Sequence, residues 1–280
     1  MRPDGCTHLE GSALSTLAII VLATALSGLV SAAGAGAVLL LPDEVRRRSL
    51  PYLVSYATGA LLGAALLALL PHAIEGVGLE STHAIGIALV AGLLVFFVLE
   101  KLVLWRHCHG DEWEAHTGHL HGHAHDYAAH RDRSAAWLVL AGDTLHNALD
   151  GVLVAAAFMT DISLGIVTAL AVAAHEIPQE VGDFAVLLNA GWSRGRALWF
   201  NLATSLAAVL GGVLAYFALQ PVLGALPYVL AVAAAGLLYV AVADLIPGLH
   251  RRFDARASVL QVALIVAGVL TIVFVEMSAH

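Results

Sequence analysis

Two runs of side chains at helical spacing carry the chemistry of this sequence. In Gly142-Asp143-Thr144-Leu145-His146-Asn147-Ala148-Leu149-Asp150-Gly151, His146 and Asp150 are four apart and share one helical face, with Asn147 beside them. In His175-Glu176-Ile177-Pro178-Gln179-Glu180-Val181-Gly182-Asp183, His175 shares a face with Gln179, and Glu176 shares one with Glu180. His146, Asn147, Asp150, His175, Glu176, Gln179 and Glu180 are therefore the candidate metal ligands. Imidazole with carboxylate suits zinc, iron or manganese, whereas calcium and magnesium take oxygen ligands. No Lys or Arg lies between 136 and 190, so Asp150, Glu176, Glu180 and Asp183 have no basic partner on these stretches. Either some are protonated or a cation neutralises them. Pro178 cannot donate to the carbonyl of Ala174, which loosens that turn.

A second cluster is looser. His107, His109, His116, His119, His121, His123, His125 and His130 place eight of the 15 histidines in 24 residues. Such tracts bind zinc-like ions through neutral imidazole. Their irregular, Gly-containing spacing predicts a chelating loop of low specificity at about 106–134.

The elements that hold these residues must be membrane helices. The 280 residues are 60% hydrophobic and 12% charged, against about 25% charged in soluble domains, and the mean hydropathy is +0.85. A spanning helix needs about 20 apolar residues. Eight segments qualify, at roughly 13–41, 51–71, 84–105, 135–158, 162–190, 196–219, 226–248 and 257–277. Pro42, Pro51, Gly76, Gly78, Trp192-Ser193-Arg194-Gly195, Pro221 and Pro227 punctuate them. The expected architecture is an all-α membrane protein, one transmembrane domain over 1–280. Both ligand runs then lie inside helices, where ionisable groups are expensive and mark an ion path.

Basic residues set the orientation. Arg46–Arg48, Lys101, Arg106, Arg131, Arg133, Arg194, Arg196, Arg251, Arg252 and Arg256 all follow odd-numbered segments or flank the His-rich loop. Both termini are expected outside and the loop inside. A signal peptide cleaved near Ser31-Ala32-Ala33 would turn every basic loop outward, which disfavours it. Cys6 and Cys108 fall on opposite sides and are not expected to pair.

With these residues in view, the sequence resembles the ZIP zinc/iron-transporter family. His146-Asn147-Ala148-Leu149-Asp150-Gly151 and His175-Glu176-Ile177-Pro178-Gln179-Glu180-Val181-Gly182-Asp183-Phe184 look like its two signature motifs, nearest the subfamily whose second motif reads HEIPHE. Leu70-Pro71-His72-Ala73, Asn201, and Tyr239-Val240-Ala241 with Asp244 and Pro247 extend the likeness. The resemblance implies an eight-helix bundle with both termini outside. It implies a transport site formed by His146, Asn147, Asp150, His175, Glu176 and position 179, and motion by alternating access. Asp143, Asp183, Asp244 and His72 are candidates for the path. The chain departs from the pattern at Gln179, where relatives carry His or Glu, at Ala64 and Ala68, and at Gly248.

The expected function is transport of a divalent metal into the cytoplasm, with Zn2+ as substrate and Fe2+, Mn2+ or Cd2+ as relatives of it. The partners implied are the ion, the lipid bilayer of a bacterial inner (plasma) membrane and a second copy in a homodimer, with no nucleic acid. Two other classes compete. His175-Glu176-x-x-Gln179 approaches the HExxH motif of zinc hydrolases but lacks its second His. A membrane metal sensor would bind zinc without passing it.

Overall fold

The computed structural model of the chain describes residues 6–108, 124–250 and 255–279. Among these residues every element is helical. Helix α1 is Cys6–Leu40. Helix α2, Asp43–Gly63, passes through a π turn at Ala64–Leu69 into α3, Leu70–Val77. Helix α4 is Thr82–Cys108, α5 Ala124–Thr160, α6 Ile162–Asn189 and α7 Arg194–Leu219. Helix α8, Leu226–Tyr239, passes through a second π turn at Val240–Leu245 into α9, Ile246–Leu249, and α10 is Ala255–Ala279.

Seven helices among the described residues are long and apolar enough to cross a membrane, where eight were expected. The difference lies in Arg194–Leu249, which runs as one helical stretch of 56 residues. An unbroken α-helix of that length would measure about 84 Å, well beyond the roughly 30 Å of a bilayer core. The stretch is broken at Gln220–Ala225, where Val222 adopts φ −131° and ψ 42° beside Pro221. Helix α5 also starts at Ala124 rather than near 135. The polar residues 124–134 extend a helix and do not belong to the loop.

Both π turns precede a Leu-Pro or Ile-Pro step, at Pro71 and Pro247. Proline lacks the N–H and crowds the carbonyl four residues earlier. Widening the turn by one residue relieves that crowding.

The helices pack in two groups. Helices α1, α5, α6 and α7 contact one another, and α2–α3, α4, α8 and α10 form the second set. Helix α6 meets α2 and α10 across the boundary. The α5–α7 contact is backbone on backbone. A Cβ on Gly151 would lie 1.9 Å from the Ala208 carbonyl oxygen, and one on Gly211 would lie 2.1 Å from that of Ala148. Small residues permit such close approach between membrane helices, where lipid offers no hydrophobic drive.

The α5–α6 turn is one residue, Asp161. Its carboxylate caps α6, accepting from the Ser163 N–H at 2.7 Å and the Leu164 N–H at 3.3 Å, and from the Ser163 hydroxyl. Those bonds, the Ser163 hydroxyl foremost, hold the Asp161 carboxyl below the usual carboxylate range. This tight turn forces α5 and α6 into an antiparallel pair and brings the two ligand runs level.

Candidate metal centre

His146 and Asp150 from α5 meet His175 and Glu176 from α6, with one ligand atom from each within 4.8 Å of the others. Among the described residues this is the one such convergence of three or more His, Cys, Asp or Glu side chains. His146 Nε2 lies 3.1 Å from His175 Nε2, 3.6 Å from Asp150 Oδ2 and 3.5 Å from Glu176 Oε1. His175 Nε2 lies 3.2 Å from the same Asp150 oxygen and 3.6 Å from the same Glu176 oxygen. Ligands about 2.0–2.2 Å from zinc at tetrahedral corners stand about 3.3–3.6 Å apart. The five separations between histidine and the other ligand atoms lie at or just below that spacing.

The polar accounting points the same way. His175 Nδ1 donates to the Ala171 carbonyl at 3.1 Å, which leaves the Nε2 lone pair facing the cluster. Asp150 Oδ2 and both Glu176 oxygens are buried without a hydrogen-bond partner. Buried acceptors in proteins are almost always satisfied. Here carboxylate oxygens without a hydrogen-bond partner face the Nε2 atoms of His146 and His175, an arrangement that a metal ion or protons on the imidazoles satisfy.

His146 is the open side of the cluster, with a side chain 21% exposed, whereas the other three are at most 4% exposed. It borders a cavity of about 470 Å³. That cavity lies between the two helix groups and runs past Gln179 and Asp183 of α6 to Glu100 of α4 and Tyr239 and Asp244 of the α8 stretch. Glu100 accepts a hydrogen bond from the Tyr239 hydroxyl. In the other direction, beyond Asp150 and His175, the bundle is closed by buried Leu153, Ala156, Ala157, Leu164, Val167 and Ala171.

The remaining expected residues fall in distinct places. Gln179, Asp183 and Asp244 line the cavity. Asn147 sends its amide nitrogen to Asp143, at 2.9 Å from Oδ1 and 3.1 Å from the carbonyl, and faces a void of about 10 Å³ shared with Ser27, Asp150 and Glu176. Its carbonyl oxygen is the end able to ligate. Asp143 is thus buried as the acceptor that orients Asn147.

Glu180, expected as a ligand, does not join the four. Its Oε1 accepts from Ser31 Oγ at 2.9 Å and Ser205 Oγ at 3.3 Å, and its carbonyl accepts from Asn201 at 3.3 Å. One turn beyond Glu176, it points at α1 and α7. The Ser31 bond also makes α1 part of the packed structure. His72 lies apart from the cavity, its Nδ1 donating to Ala68 in the first π turn at 2.9 Å and its Nε2 3.8 Å from Glu276.

Of the loop histidines, His109, His116, His119, His121 and His123 lie outside the described residues, His107 is in the last turn of α4, and His125 and His130 are in the first turns of α5. Glu100 was not foreseen. An acid inside the third apolar segment was the available signal.

Comparison with known proteins gives a consistent picture. A family model described as ZIP zinc transporter matches residues 16–276. The chain is 33% identical over 246 residues to zinc transporter ZIP13 of Pongo abelii, covering 84% of this chain and 69% of that protein. It is 32% identical over 269 residues to the human protein of that name, covering 84% and 72%. To zinc transporter zipt-7.1 of Caenorhabditis briggsae it is 31% identical over 292 residues, covering 87% and 73%.

Proposed function

The chain belongs to the ZIP zinc transporter family, and on that premise we propose that its metal transport carries zinc into the cytoplasm through the centre between α5 and α6. The observation that carries this reading is the cage of His146, Asp150, His175 and Glu176. Its ligand atoms stand near zinc spacing, and Asp150 Oδ2 and both Glu176 oxygens lack a hydrogen-bond partner. The zinc ion is cargo, so the cage must also let it go. His146, at the open side, leads to the cavity lined by Gln179, Asp183 and Asp244.

The same reading divides Arg194–Leu249 at Val222 into two crossings, for eight in all with both termini outside. Helix α7 packs on α5 while α8 packs on α4, which supports two separate crossings. In that topology the cavity opens toward the Arg-rich ends and the apolar plug lies on the outer side, a cytoplasm-facing state. The boundary between the two helix groups is the natural surface for alternating access. Asn147 and Gln179 act as neutral oxygen donors near the cage. The His-rich tract tunes transport without being needed for it; replacing His119, His121, His123 and His125 together leaves substantial flux, and loss of flux from a folded variant would put the tract in the path.

The relatives are zinc transporters of animals. They give the hydrolase reading no support and none for a bacterial inner membrane, so localisation stops at a multi-pass membrane protein. Fluxes of zinc, cadmium, iron and manganese into proteoliposomes test the proposal. Zinc uptake that saturates is expected. Tight zinc binding without flux would make the protein a sensor instead.

A further inference from the structure

The void of about 10 Å³ on the α1 side of the metal centre is walled by Thr24 and Ser27 of α1, Asn147 of α5, Val172 and Glu176 of α6 and Ala208 of α7. Two polar atoms on this wall are left over by the cage. Ser27 is 8% exposed, and its Oγ has no hydrogen-bond partner in the protein. Glu176 turns Oε1 to both imidazoles. Its Oε2, also buried without a partner, is the oxygen that the cage does not claim.

The register of α1 on α6 explains the pair. Ser27 and Ser31 stand one turn apart on α1, as Glu176 and Glu180 do on α6. Ser31 reaches Glu180 directly, its Oγ donating to Oε1 at 2.9 Å. One turn earlier, Ser27 and Glu176 share the void instead of a hydrogen bond. A buried water needs about this much room and two to four polar partners. No histidine is among the described residues that line the void. Zinc sites draw chiefly on imidazole and thiolate, so the void suits a water better than a second zinc ion.

We propose that the void is a water site, and that Ser27, through this water, holds the Glu176 carboxylate with Oε1 turned to the metal. The water accepts from the Ser27 hydroxyl and donates to Glu176 Oε2 and to the Asn147 carbonyl oxygen. That oxygen has two lone pairs, so one stays available to an ion. Ser27 is thereby a positioning residue on a helix that supplies no ligand to the cage, a role that rests on the metal centre proposed above.

The test is diffraction from crystals of the full chain grown with zinc, with data on both sides of the zinc absorption edge. The void shows a peak without anomalous signal, about 2.7–3.0 Å from Ser27 Oγ and Glu176 Oε2. An anomalous peak in the void, or no peak there, overturns the water site. A cage without an anomalous peak overturns the metal centre and with it the role of Ser27, while the water is still judged from the void. Calorimetry supplies the second readout. Ser27→Ala weakens zinc binding about tenfold, the lower end of what hydrogen-bond partners of metal ligands are worth, whereas Ser27→Thr keeps the hydroxyl and the wild-type affinity. Ser27→Cys, a weaker donor, stands in if Ser27→Ala does not fold. Wild-type affinity without the hydroxyl, or equal loss in Ser27→Ala and Ser27→Thr, overturns the positioning role.

Discussion

Glu176 and Glu180 are the same residue one turn apart on α6, each 2% exposed, yet their surroundings are opposite. Glu180 accepts two hydroxyls and fastens α6 to α1 and α7. Glu176 has no donor on either oxygen and faces two imidazoles. A buried acid whose partners are supplied by the protein is a joint. A buried acid without such partners, like Glu176, is free for the ligand role proposed above. Burial alone does not separate the two; the donor count does.

Removing the unpaired acids gives the largest expected effect. Asp150→Ala and Glu176→Gln each lower zinc affinity and flux by at least about a hundredfold, because even second-shell partners of metal ligands are worth about 10–100-fold. Calorimetry and proteoliposome uptake at matched protein amounts measure it. Near-normal zinc binding by either variant would erase the distinction between the two glutamates.

The satisfied acid predicts a different loss. Ser31→Ala with Ser205→Ala strips Glu180 Oε1 of its hydroxyls and costs roughly 1–3 kcal/mol of stability, read as a lower Tm, while zinc affinity stays unchanged. If affinity collapses at unchanged Tm, Glu180 belongs to the metal centre after all.

Gln179 sharpens the comparison from a third position, since it lines the cavity beside His146. Gln179→His supplies an imidazole there and tightens zinc binding several-fold, with slower release in stopped-flow chelation. Affinity and release rate both equal to the wild type would place residue 179 outside the ion's reach.

The smallest effect comes from the turn that aligns the two runs. Asp161→Ala removes the cap of α6 and costs about 1 kcal/mol, with zinc binding retained. The Asp161 carboxyl titrates lower in the folded chain than in the unfolded one. Its contribution is therefore present above the ordinary Asp pKa of about 3.9 and disappears as pH falls through the depressed folded value. The Tm gap between Asp161→Ala and wild type closes on acidification; a gap constant down to pH 2 would assign the effect to something other than the charge.

Four-residue spacing put His146 and Asp150 on one face in the sequence, while His175 and Glu176, adjacent in the chain, stood out because helix interiors make charge conspicuous. The same periodicity misled at Glu180, since face-sharing does not say which neighbour the next turn meets. Ser31 and Ser205, from helices distant in sequence, decide that. Hydropathy located the crossings but not the helix ends, because residues 124–134 form helix without being apolar. It also passed over Glu100, a single acid diluted among Phe, Val and Leu. The break at Val222 was signalled by Pro221 and Pro227, whereas the π turns had only Pro71 and Pro247 to announce them.

Those π turns bear on insertions and deletions. A π turn is an α-helical turn carrying one residue more, and each residue rotates the helix by about 100°. The bulge absorbs that rotation, so deleting Leu67 would restore a regular α turn and leave Pro71, His72 and the rest of α3 on the face that they already present. What returns is the crowding of Pro71 against the carbonyl four residues earlier. In an alignment, a one-residue gap inside 64–69 or 240–245 marks a relative whose turn there is plain α and whose helix end faces the same way.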